Sequence, residues 1–113
     1  MYKMRLHPDQ FNLVALGKKK IEVRVNDEKR QKLCENDTIQ FLKRPDEIEE
    51  IFVEIIKLSY YKSFSEVFNK FPNDELGIDI KMSEKDYIAH QRQYYNEDEE
   101  KKYGVVVIHT KLI

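Results

Sequence analysis

Two long runs of β-branched and aromatic residues, IFVEIIKLSYY at 51–61 and YGVVVIHTKLI at 103–113, constrain this chain more than any other feature. Branching at Cβ stiffens χ1 and suits a pleated surface better than a helix. The first run reads as the central strand of a sheet, and the second as a buried strand that closes the chain. In a chain of 113 residues one core suffices, and folding hides roughly two-thirds of the unfolded surface.

The remaining elements alternate without repeats or a linker, so residues 1–113 are read as a single domain. YKMRL reads as a short strand, and Pro8 stands where its fixed φ suits the first turn of a helix. Phe11, Val14 and Ala15 recur at helical spacing until Gly17 ends the run. NDEKRQKL is turn-like with at most one helical turn, TIQFLK alternates as a strand, and RPDEIEE is a loop. Ser63 with Glu66, and Ser83 with Asp86, have the spacing of helix N-terminal caps. The first opens a stripe of Phe64, Val67, Phe68 and Phe71; the second leads into Tyr87, Ile88, Gln91, Tyr94 and Tyr95. NEDEEKK reads as a solvated turn. The sum is an α+β fold: a mostly antiparallel sheet of about five strands with three or so helices around it.

Charge narrows the function. Lys and Arg number 20 against 21 Asp and Glu, but residues 1–44 hold 11 cations and 6 anions, leaving 9 against 15 in residues 45–113. The amino-terminal part is therefore +5 and the rest −6, a field suited to a local phosphate-bearing partner and not to coating nucleic acid indiscriminately. The start, MYKMRLHPDQ, lacks a basic stretch followed by an apolar run, and no segment is apolar enough to span a bilayer. With one cysteine, Cys34, no internal disulfide forms, and a soluble protein of the reducing cytoplasm is expected.

The chemistry concentrates in GKKKIEVRV, residues 17–25. On a strand, Ile21, Val23 and Val25 point one way while Lys20, Glu22 and Arg24 point the other. The plain reading is a solvated face with mildly favourable charge pairs, each worth about 0.2–1 kcal/mol. A second reading comes from family likeness. With the following NDEKRQKLCENDTIQF and the closing YGVVVIH, the stretch resembles the ASCH family, a branch of the PUA-like superfamily of small β-barrels. Its Gly-x-Lys-x-x-Glu-x-Arg signature is met by Gly17, Lys19, Glu22 and Arg24. The Gly-Asp turn usual before the third strand is Asn36-Asp37 here, and Asn tolerates left-handed backbone angles.

The resemblance implies a small mixed β-barrel whose second strand lines a cleft, with Lys19, Glu22 and Arg24 in it, and RNA or a nucleotide-like small molecule as partner. Those groups suit such a ligand, since Arg offers a fork for phosphate or a base edge, Lys a point charge, and Glu an acceptor for amino or ribose hydroxyl groups. His7, where the first strand ends, can reach the same cleft. RNA recognition favours unstacked bases on aromatic platforms, for which Tyr60, Tyr61 and Tyr94 are candidates. Tyr87, Tyr94 and Tyr95 also fit a helix's core side. The likeness carries an alternative, a hydrolase. Some relatives are amidohydrolases acting on acetylated cytidine through a lysine matching Lys19 and a threonine nucleophile, and others have been proposed as ribonucleases. Glu22 stands where the threonine would be, so Lys19 and Glu22 would be catalytic only with Glu22 as a base acting on water.

No cofactor or metal is expected: His7, His90 and His109 fall in unrelated elements without metal-site spacing. Cys34 reads as a small buried hydrophobe.

Overall fold

The computed structural model describes residues 1–113. Its strands are β1 (Tyr2–Leu6), β2 (Ile21–Val25), β3 (Thr38–Lys43), β4 (Glu50–Tyr61) and β5 (Val105–Leu112). They form one sheet in the order β1-β3-β4-β5-β2. Only β1 and β3 run parallel; the other neighbours are antiparallel. Four helices flank it: α1 (Pro8–Ala15), α2 (Phe64–Lys70), α3 (Glu84–Gln91) and α4 (Glu97–Tyr103). The α+β class and the mixed five-stranded sheet agree with the sequence reading. The sheet curls into a half-barrel, not a closed barrel, because its edge strands β1 and β2 share no backbone pairing.

Local chemistry accounts for the element boundaries. Pro8 opens α1, and Gly17, at φ +72°, lets the chain turn away after it. The Ser63 and Ser83 hydroxyls accept the amides of Glu66 and Asp86, capping α2 and α3. Asn36 takes φ +75° in the turn before β3, where the Asp37 carboxylate accepts the Cys34 amide at 2.8 Å. A single 3₁₀ turn, Arg30–Lys32, lies within NDEKRQKL.

Two readings need correction. NEDEEKK is not a turn but the body of α4, held by a reciprocal cap between Asn96 and Glu99. Cys34 is exposed; its neighbour Leu33 fills the core position instead. The run in β4 is the central strand of the sheet as expected, with Phe52, Ile56 and Tyr60 standing in solvent. β5 is the strand covered on both faces, which explains its unbroken VVVI: Val106 and Ile108 enter one core cluster, Val105 and Val107 the other.

These two clusters place β2. The inner one joins Met4, Leu6, Ile39, Phe41, Val53 and Ile55 with Phe11 and Val14 of α1. The outer one joins Ile21 and Val25 with Phe64, Val67 and Tyr87 of α2 and α3. Directly paired residues share a face, and Glu22 pairs with Ile108 and Arg24 with Val106. The apolar side of β2 therefore faces the helices, and its charged side joins the inner face. This is the reverse of a solvated charged strand.

Candidate functional site

Glu22 is 8% exposed, and every neighbour that favours its charge meets the same oxygen. Lys19 Nζ and Arg24 Nε each lie 3.7 Å from Glu22 Oε1, and the Val23 amide donates to it at 3.3 Å. Burial by itself would raise the Glu22 pKa; the two cations and the amide outweigh it and hold the carboxyl below its usual value. Glu22 Oε2 is buried and has no hydrogen-bond partner. The hydroxyl of Tyr87 is also buried without a close hydrogen-bond partner, with the Gln91 side chain near enough to ease an ionisation that burial and then the Glu22 charge push up.

Lys19 is as buried as Glu22, and distant segments hold it. The backbone amides of Lys18 and Lys19 both donate to the Leu13 carbonyl, turning the chain back beneath α1. Lys19 Nζ donates to Gln10 Oε1, and Gln10 Nε2 donates to the Gly77 carbonyl at 2.9 Å. Gly77 has φ +72°, and a Cβ there would stand 2.8 Å from Lys19 Cδ. Hence this loop approaches Lys19 only without a side chain. Arg24 is fixed at its other end by the Arg5 carbonyl, 3.4 Å from Nη2.

These groups line a cleft of about 190 Å³. β1 supplies Arg5, His7 follows it, β2 supplies Glu22 and Arg24, and Arg44 follows β3. Tyr87, Gln91 and Tyr94 form the wall from α3 and the segment after it. At the mouth, His7 Nε2 and the Tyr94 hydroxyl are 2.9 Å apart, and Tyr94 meets His90 edge to face. A more open groove of about 840 Å³ runs past Met1, Phe52 and Ile113, but its only charged side chains are Asp37 and Glu50.

Of the residues singled out by sequence, Lys19, Glu22, Arg24, His7 and Tyr94 share this cleft. Tyr60 does not: it shares the inner face with Arg24 across Val106, one strand beyond, and is 60% exposed. Tyr61 packs on Phe71 in the outer cluster, and Lys18 and Lys20 are solvated. Sequence reasoning missed Gln10, Arg44 and Gly77. Glycine scarcity was the available signal for the last, since the chain has 3 and all take positive φ.

The ASCH domain family model matches residues 4–113. The chain belongs to the ASCH family. Among solved structures, this ASCH domain is similar to the hypothetical protein PH0355, at 33% identity and TM-score 0.83, covering 99% of this chain and 98% of that one. It is also similar to PF0455 from Pyrococcus furiosus, at 32% identity and TM-score 0.74, with 99% and 96% coverage. The ASCH protein from Zymomonas mobilis shares the fold at 14% identity and TM-score 0.65, over 96% of this ASCH domain and 65% of its own length. No curated protein matches the sequence.

Proposed function

We propose that this ASCH domain binds RNA or a nucleotide by taking one nucleobase into the Lys19–Glu22–Arg24 cleft. The observation that carries the reading is Glu22 Oε2, a buried carboxylate oxygen without a donor, beside the buried Tyr87 hydroxyl. A buried acceptor without a donor costs about 1–3 kcal/mol, more when charged, and a ligand that donates to it recovers that cost. An amino-bearing base edge does so: its exocyclic N–H donates to Glu22, while an adjacent ring acceptor takes a donor from Tyr87. The cleft, at about 190 Å³, is smaller than drug-sized pockets and admits one base, not a stretch of strand. Tyr94, 49% exposed at the mouth, is a platform on which the next base stacks.

The hydrolase reading is weaker on this geometry. A general base works best with its pKa near the working pH, and Glu22 is held in the opposite direction. Titrating the protein with nucleosides, nucleotides and short RNAs while following thermal stability tests the proposal. A ligand at 100 times its Kd adds about 2.7 kcal/mol. Absence of any shift across the panel overturns it. Glu22→Gln separates the two readings. In a binder, affinity weakens by about 1.5–3 kcal/mol. Multiple turnover of an acetylated cytidine or an RNA that collapses about 100- to 10,000-fold in the variant establishes the hydrolase instead.

A further inference from the structure

Arg44 stands apart from the other arginines. Arg5 pairs with Glu47 at 3.1 Å, Arg24 with Glu22 at 3.7 Å, Arg30 with Asp27 at 3.3 Å and Arg92 with Glu100 at 2.6 Å. Arg44 alone has no carboxylate partner, and its side chain makes no hydrogen bond, although the loop just after it is acidic. Those acids are engaged elsewhere: Glu47 with Arg5, Glu49 with Lys43, Asp46 with the Ile48 amide and Glu50 with Gln40. The Arg44 amide donates to the Leu6 carbonyl at 2.9 Å, which fixes its backbone beside the end of β1. From there its exposed side chain lines the cleft.

The cleft's charge points the same way. Arg5, Lys19, Arg24 and Arg44 against Glu22 make four cations to one anion, +3 in a chain of net charge −1. The Lys19 and Arg24 charges are engaged by Glu22 and that of Arg5 by Glu47, so one guanidinium fork remains for an anion.

We propose that Arg44 is a phosphate clamp: the ligand is a nucleotide, its base at Glu22 and its phosphate on the Arg44 guanidinium. This rests on the base-binding reading of the cleft and adds the phosphate to it. A guanidinium presents two parallel N–H donors that match two phosphate oxygens, a geometry a lysine lacks.

Calorimetric titration of the full chain with each of the four ribonucleosides and with its 5′- and 3′-monophosphates tests the assignment. One monophosphate binds about 10- to 100-fold tighter than its nucleoside, the usual worth of charge-assisted hydrogen bonds. Arg44→Gln removes that gain, so that the monophosphate binds no tighter than its nucleoside, while Arg44→Lys keeps part of it. The gain shrinks as salt rises. Equal binding of nucleoside and monophosphate, or a gain that survives in Arg44→Gln, overturns the clamp and leaves base binding standing. Failure of every nucleoside and nucleotide to bind overturns the clamp, and failure of short RNAs as well overturns base binding with it.

Discussion

Arg24 of β2 reaches the backbone carbonyl of Arg5 on β1, 3.4 Å away, and so joins the two edge strands of a sheet that share no backbone pairing. The same guanidinium is an ion-pair partner of the buried Glu22. One side chain thus serves the seam of the half-barrel and the electrostatics of the cleft. Replacing it with leucine removes both contacts. Arg24→Leu is expected to lose about 1.5–3 kcal/mol in urea denaturation, the scale of a hydrogen bond to a charged group. Arg24→Lys recovers only part, because one ammonium cannot span Glu22 and the Arg5 carbonyl together.

Acid should weaken this protein in two stages. His109 has its pKa lowered by burial and by Lys57; its ring meets the Ser59 hydroxyl at 3.0 Å and packs on Phe71. Between its ordinary and its lowered value the unfolded chain binds the proton more readily than the folded one, so stability falls as pH drops below about 6.5. Glu22 acts further down. Its contribution is complete above the ordinary carboxylate range and disappears as pH falls through its depressed folded value. Urea midpoints measured from about pH 7.5 to about pH 3 should show both limbs. His109→Gln removes the first and Glu22→Gln the second.

Gly77→Ala is expected to damage the cleft without replacing a charged residue. The new methyl carbon would stand 2.8 Å from Lys19 Cδ and 2.9 Å from Gln10 Oε1, at a φ of +72° that L residues avoid. The backbone penalty alone is about 1–2 kcal/mol. Relieving the clash means moving Lys19 away from Glu22, so ligand affinity should fall along with the melting temperature. Gln10→Ala, which removes the bridge without strain, should reproduce the affinity loss with a smaller stability change.

Glu100 is the other buried carboxylate, and it ties three helices together. Its oxygens accept the Phe64 amide at 2.7 Å and the Arg92 guanidinium at 2.6 Å, joining α4 to the start of α2 and the end of α3. Glu100→Ala leaves both donors unpaired and should cost about 3–5 kcal/mol, read as a drop in urea midpoint. Because α3 carries Tyr87 and Gln91 of the cleft wall, amide exchange along α3 should accelerate in the same variant.

Sequence by itself determined the elements wherever the signal is local. Pro8, Ser63 and Ser83 mark helix starts, Gly17 and Asn36 take left-handed angles that glycine and asparagine tolerate, and β2 alternates with period two. The fourth helix escaped because Glu97–Glu100 shows no apolar stripe, although its Asn96/Glu99 cap was readable. Periodicity says that two faces of a strand differ, but not which face meets the core. For β2 that was decided by tertiary structure: α2 and α3 cover Ile21 and Val25, leaving Glu22 and Arg24 on the inner face with Ile108 and Val106. The same holds for Tyr60 and Tyr94, alike as candidate platforms until the curl of the sheet set one in solvent and the other in the cleft. The Lys19–Gln10–Gly77 chain joins residues up to 67 positions apart, and Arg44 is singled out only by where every nearby acid finds its partner. Such contacts follow from packing distant segments together, for which a local pattern carries no signal.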